Sequence, residues 1–108
     1  MEKSILIPLM ERSFNLQETL KVLTHNLMIY FSWGVSQKIN VDNKGLLLKV
    51  NGRFHKSYVF ITLSHLDLYD VHIISSHGNI LDQYKGIFFD QLVEVIDNRI
   101  EKIPEYKF

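Results

Sequence analysis

Apolar and polar residues change their period several times along this chain, and each change marks an element. Leu16, Leu20, Leu23, Leu27 and Tyr30/Phe31 recur at steps of three and four, the spacing of one helical face. Asn15 with Glu18 three residues on resembles a capping box, and Gly34 is placed to stop the helix. One amphipathic helix is therefore expected from about Leu16 to Trp33. A second stripe, Val22, Ile29 and Trp33, makes it apolar on more than one side, as if it lay between the sheet and something else, such as a second copy.

After Gly34 the period falls to two. Val35 to Val41 alternates loosely, and Asp42-Asn43-Lys44-Gly45 reads as a turn. Leu46–Val50 and Tyr58–Leu63 follow as strands around Asn51-Gly52. Asn-Gly suits the two φ > 0 positions of a type I′ hairpin turn. Leu68–Ile74 is a further strand, and Ile80 to Ile87 adds an edge strand. The period then returns to that of a helix. Leu92, Ile96, Ile100 and Ile103 form its stripe, Asp90 its N-cap and Pro104 its end, with Glu94, Asp97, Asn98, Glu101 and Lys102 on the wet side. Ile5–Met10 reads as a short edge strand or an irregular arm, because Pro8 excludes a central strand.

The order is α, then three to five strands, then α. We expect an α+β single domain spanning 1–108, an antiparallel sheet with an N-terminal and a C-terminal helix packed on one face. Strand alternation places Leu46, Leu48, Val50, Val59, Ile61, Leu63, Tyr69, Val71 and Ile73 under those helices. The reverse face carries Leu47, Lys49, Tyr58, Phe60, Thr62, Leu68, Asp70, His72 and Ile74. Two readings of that face stand: an open contact surface, or a face covered by the N-terminal arm or a helix. If it is open, a protein partner or a second copy docks on that face or on a sheet edge, and on the face Leu47, Tyr58 and Phe60 are the apolar anchors. Lys49, Thr62, Asp70 and His72 then surround them.

Composition narrows the chemistry. Hydrophobic residues are 46% and charged residues 22% of the chain, an ordinary globular balance. The absence of Cys excludes disulfides, thiolate zinc sites and a thiol nucleophile. No apolar run approaches the roughly 18 residues of a membrane span, so a cytoplasmic protein that does not enter the membrane is expected. Formal net charge is zero, which argues against a protein that coats nucleic acid. Its distribution is uneven. Lys44, Lys49, Arg53 and Lys56 fall between Asn43 and Leu66 with no acid, whereas the acids concentrate after Asp67. Lys49, Arg53, His55 and Lys56 could hold phosphate, with Tyr58 and Phe60 as stacking platforms. The topology resembles the double-stranded-RNA-binding domain, but the acidic last helix departs from that family's basic one. Nucleic-acid binding is thus the alternative to protein binding.

No motif points to an enzyme. His65, Asp67, Asp70, His72 and His77 are close in sequence, but they lack the spacing of a metal site. There is no G-x-S-x-G elbow and no glycine-rich phosphate loop. No catalytic residue, metal or cofactor is expected.

The runs Ser32-Trp33-Gly34, Gly45-Leu46-Leu47-Leu48-Lys49-Val50-Asn51-Gly52, His55-Lys56-Ser57-Tyr58-Val59 and Leu68-Tyr69-Asp70-Val71 resemble small uncharacterised proteins of bacterial mobile elements and phages. That resemblance implies a small binding protein that regulates or inhibits a host or phage system. A protein partner, or a homodimer, is the expected ligand.

Overall fold

The computed structural model describes residues 3–101. Five strands, β1 (Gln37–Val41), β2 (Gly45–Lys49), β3 (Tyr58–Leu63), β4 (Tyr69–Ile74) and β5 (Ile80–Ile87), form one antiparallel sheet in sequence order. The register pairs Leu47 with Phe60 and Phe60 with His72, so these three side chains share one face. Helices α1 (Lys3–Leu6), α2 (Leu16–Thr24), α3 (Leu27–Ser32) and α4 (Leu92–Ile100) surround the sheet. The α+β class is as the pattern implies.

The long N-terminal helix is interrupted. Asn26 leaves the helical conformation at φ −107, ψ 93 and accepts from the Ile29 N–H. It thereby caps α3, as Asn15 caps α2 through the Gln17 and Glu18 N–H groups. An Asn side chain in mid-pattern competes for backbone hydrogen bonds and offers a new start. α2, α3 and α4 lie on the same face. Leu16, Leu23, Tyr30, Trp33, Leu92, Ile96 and Ile100 pack there with Leu46, Leu48, Val50, Val59, Ile61, Val71 and Ile73. Leu63 and Tyr69, also assigned to this core, are only half-buried at the strand ends. Ile103 and Pro104, expected to close the last helix, lie outside the described residues.

The Asn51-Gly52 hairpin does not form. β2 ends at Lys49 and β3 begins at Tyr58, and neither Asn51 nor Gly52 has a positive φ. The left-handed pair is Asp42 (φ 54) and Asn43 (φ 56), where the Lys44 N–H donates to the Val41 carbonyl, as a type I′ turn requires. The loop 50–57 folds back onto the end of α4 instead. The Phe54 N–H donates to the Ile100 carbonyl at 2.8 Å, and the Arg53 N–H donates to Glu101 Oε2. The first of these bonds satisfies a carbonyl that the helix end leaves open. Gly52 is there for close approach: a Cβ on it would lie 2.5 Å from the Ile100 oxygen. Gly52→Ala should therefore cost about 1–3 kcal/mol, read as a lower urea midpoint. An unchanged midpoint would show that the loop yields freely.

Candidate functional site

The reverse face of the sheet is covered. Leu6, Val41, Leu47, Phe60 and Ile74 form a second buried cluster, with Leu9, Met10 and Tyr58 packed against it. Ile5–Met10 is neither a strand nor irregular. It completes α1 and continues as a 3₁₀ turn, Ile7–Leu9, with Pro8 in the first positions of that turn, where a missing N–H is tolerated. The segment is held across the face at both ends. Lys3 pairs with Asp42 at 2.7 Å in the β1–β2 turn, and Arg12 pairs with Asp67 between β3 and β4. The Phe14 N–H donates to the Asn43 carbonyl. Those ion pairs are exposed and individually weak; the apolar side chains beneath supply most of the hold.

The expectation of an open sheet face is thus corrected. Of its proposed contact residues, Leu47, Phe60, Thr62, Asp70 and His72 are buried, Tyr58 is half-buried, and Lys49 is exposed. The polar members satisfy one another instead of facing water. The Gln83 amide donates to His72 Nδ1 at 3.0 Å, and His72 Nε2 lies 3.1 Å from Thr62 Oγ1, positioned to donate to it. An imidazole that accepts at one nitrogen and donates at the other is neutral. Burial pushes its pKa down to about 4, and Lys85 adds to that; the nearby Asp70 carboxylate opposes it. Asp70 accepts from the Gly86 N–H. These contacts specify a packed layer and present no group to a substrate.

The basic loop is split. Lys49, Arg53 and Lys56 are exposed, but His55 is buried. Its Nε2 lies 3.0 Å from the Tyr58 carbonyl, to which it donates, and burial lowers its pKa. Phe60 lies inside and offers no stacking platform. The Arg53 guanidinium sits 5.3 Å over the ring of exposed Phe54. Among the described residues no three His, Asp or Glu side chains converge as metal ligands, and no helix is long and apolar enough to cross a membrane.

An open groove with apolar lining lies on the helical side. It is about 760 Å³ in volume and runs between α2–α3 and α4. One wall is Lys21, Val22, His25, Asn26 and Ile29; the other is Phe89, Asp90, Val93, Glu94, Asp97 and Asn98. Both walls repeat at three- and four-residue steps, the spacing that aligns side chains on a helix face. Val22, Ile29 and Val93 are half-buried, and Phe89 is 66% exposed. Trp33 Nε1–H donates to Asp97 Oδ1 at 3.0 Å beneath the groove. This bond ties the end of α3 to α4, and it corrects the placement of Asp97 on the wet side. An indole buried in a core requires an acceptor, which is the signal the stripe alone did not carry. Leu27, Met28 and Phe31 are exposed on α3 itself, which corrects the placement of Leu27 and Phe31 on the main helical stripe; of the second stripe, Val22 and Ile29 line the groove and Trp33 is buried.

No family model, curated protein or solved structure matches the chain.

Proposed function

We propose that this protein is a non-enzymatic interaction module whose contact surface is the groove between α2–α3 and α4. Its occupant is an amphipathic helix of a protein partner. The observation that carries this reading is the groove itself: an apolar floor of Val22, Ile29 and Val93, a large exposed aromatic at its edge, and charged residues on both rims. Contact sites commonly combine an aromatic anchor, an apolar floor and a polar rim. A helix laid in such a groove is read through residues three and four apart. The role agrees with a regulator or inhibitor that acts by binding, which is what the resemblance to mobile-element proteins implies.

A photo-crosslinking side chain at the groove position Asn98 should give a covalent protein adduct in cells, and Phe89→Asp should remove it. The same probe at Leu66, exposed on the turn after β3, should give none. Equal adducts at both positions, or adducts at Asn98 indifferent to Phe89→Asp, would exclude the groove as the contact surface.

The cations Lys49, Arg53 and Lys56, beside the exposed Phe54, carry the second reading, in which the loop binds single-stranded nucleic acid. A band shift at low salt that is lost in Arg53→Glu would support it; no shift of RNA or DNA probes at low salt removes it.

A further inference from the structure

Resting on the reading of the groove as a docking surface, we infer that its occupant is a helix with split flanks, acidic along the side that meets α2 and basic along the side that meets α4. The observation is the opposite sign of the two walls. Lys21 and His25 stand on one wall, and Asp90 and Glu94 on the other. All four residues are exposed. The ion pairs among the described residues are Lys3–Asp42, Arg12–Asp67 and Arg99–Asp82, and Lys21, Asp90 and Glu94 join none of them. The facing charges are therefore not neutralised by each other, and an occupant lying between them can meet both. Asp97, buried and accepting from the Trp33 indole, adds to the acidic side from beneath.

A helix laid between these walls presents apolar residues three and four apart to Val22, Ile29 and Val93. The positions flanking that stripe then meet the rims. From Asp90 to Asn98 the α4 wall is about 12 Å long at 1.5 Å per residue, so about two turns of the occupant are read. Flanks of a single sign meet repulsion on one side: two acidic flanks oppose Asp90 and Glu94, and two basic flanks oppose Lys21. A split helix alone is matched at both walls, as partners of complementary potential are. Reversing such a helix end for end exchanges its flanks and sets like charge against like. The walls thus fix the direction of the helix as well as its composition.

Three fluorescent peptides of about 15 residues, each with the same leucine stripe and stapled on its outer face to hold the helix, serve as probes. One carries Glu on one flank and Lys on the other, one carries Glu on both, and one carries Lys on both. Fluorescence anisotropy with the full chain should show the split helix binding about tenfold tighter than either of the others. Lys21→Glu, which makes both walls acidic, should weaken the split helix about tenfold and make the all-Lys helix the tightest of the three. The wild-type preference should fade at about 1 M salt, where charges are screened beyond about 3 Å. Phe89→Asp should weaken all three, because it removes the aromatic edge they share. Lys21 and Phe89 are exposed, and circular dichroism of each variant verifies that it folds. Equal affinities that Phe89→Asp lowers together overturn the split flanks and leave the docking surface standing. A preference for a helix of one sign, or a preference unmoved by Lys21→Glu or by high salt, overturns them too. If no helix binds at millimolar concentration the inference falls, and the Asn98 crosslink decides separately whether the groove docks a partner. With the adduct mapped by mass spectrometry, attachment to a helix with split flanks supports the inference. Attachment to a second copy of this chain, to nucleic acid or to a segment charged with one sign overturns it.

Discussion

Phe60→Ala should lower the free energy of unfolding by about 3–5 kcal/mol, the usual cost of deleting a fully buried phenyl ring. Phe60 is 0% exposed and lies between the sheet and the N-terminal segment that carries Leu6, Leu9 and Met10. Its ring also occupies the space above Gly45, where a Cβ would come within 2.3 Å of it. Neighbouring backbone and ring are therefore fitted to each other, and collapse into the vacated volume is limited. Phe60→Asp adds an uncompensated buried charge and should leave no folded population, since a domain of this size has a margin of about 5–15 kcal/mol. Phe89→Ala, an aromatic deletion at an exposed position, should change stability by no more than about 0.5 kcal/mol. Urea titrations followed by the fluorescence of Trp33, the single tryptophan, distinguish these cases. Equal effects of Phe60→Ala and Phe89→Ala would show that the second face is not packed.

Acid should destabilise the protein through His72 well before carboxylates alone account for the loss. Its folded-state pKa is lowered to about 4 by burial, against about 6.5 in the unfolded chain. Between those values the unfolded chain binds the extra proton. Stability from this group is therefore complete above pH 6.5 and declines as pH falls toward 4, with no further loss below that. The full decline is up to about 3 kcal/mol. His55, whose pKa burial also lowers, acts with the same sign. Protonation would place a charge where Nδ1 accepts from Gln83, converting that acceptor into a donor facing a donor. Unfolding free energies measured from pH 7.5 to 4.5 should therefore fall more steeply in the wild type than in His72→Gln, and the His72 ring signals should titrate near pH 4. Parallel pH profiles, or titration near 6.5, would show that the imidazole is solvated.

Much of this architecture was legible in the sequence. Period-two alternation sorted the strand residues onto the two faces they occupy, because neighbouring side chains on a strand must point oppositely. Stripe spacing located both helical regions, and Asn15 caps α2 as its position implies. Asn26, however, divides the first region, and Asp90, expected to cap the last helix, lies in the 3₁₀ turn Phe89–Gln91 before α4, whose N-cap is Gln91. The failures share a cause, which is that local signals do not report what a distant segment covers. Pro8 made Ile5–Met10 read as an edge strand or an irregular arm, and its covering the reverse face was one of two open readings; Pro at the start of a helical turn is harmless. Thr62, Asp70 and His72 looked wet because their partners, Gln83 and the Gly86 N–H, are remote in sequence. Gly52 looked like half of a turn, but its small size answers to Ile100, 48 residues away by numbering. The groove depended on how α2–α3 and α4 sit side by side, which no one helix stripe specifies. The second stripe did mark two of its lining residues, Val22 and Ile29, whereas the exposed Leu27 and Phe31 belonged to the main stripe, which Asn26 breaks.

Sheathing of the sheet on both sides, with the groove between α2–α3 and α4 left open beside the exposed Met28 and Phe31, is tested most directly by hydroxyl-radical footprinting of the dilute native protein. Met28, Phe31 and Phe89 should be oxidised readily, while Leu47, Phe60 and Trp33 should stay silent until the chain unfolds. Oxidation of Leu47 and Phe60 at rates comparable to that of Phe89 would contradict the account.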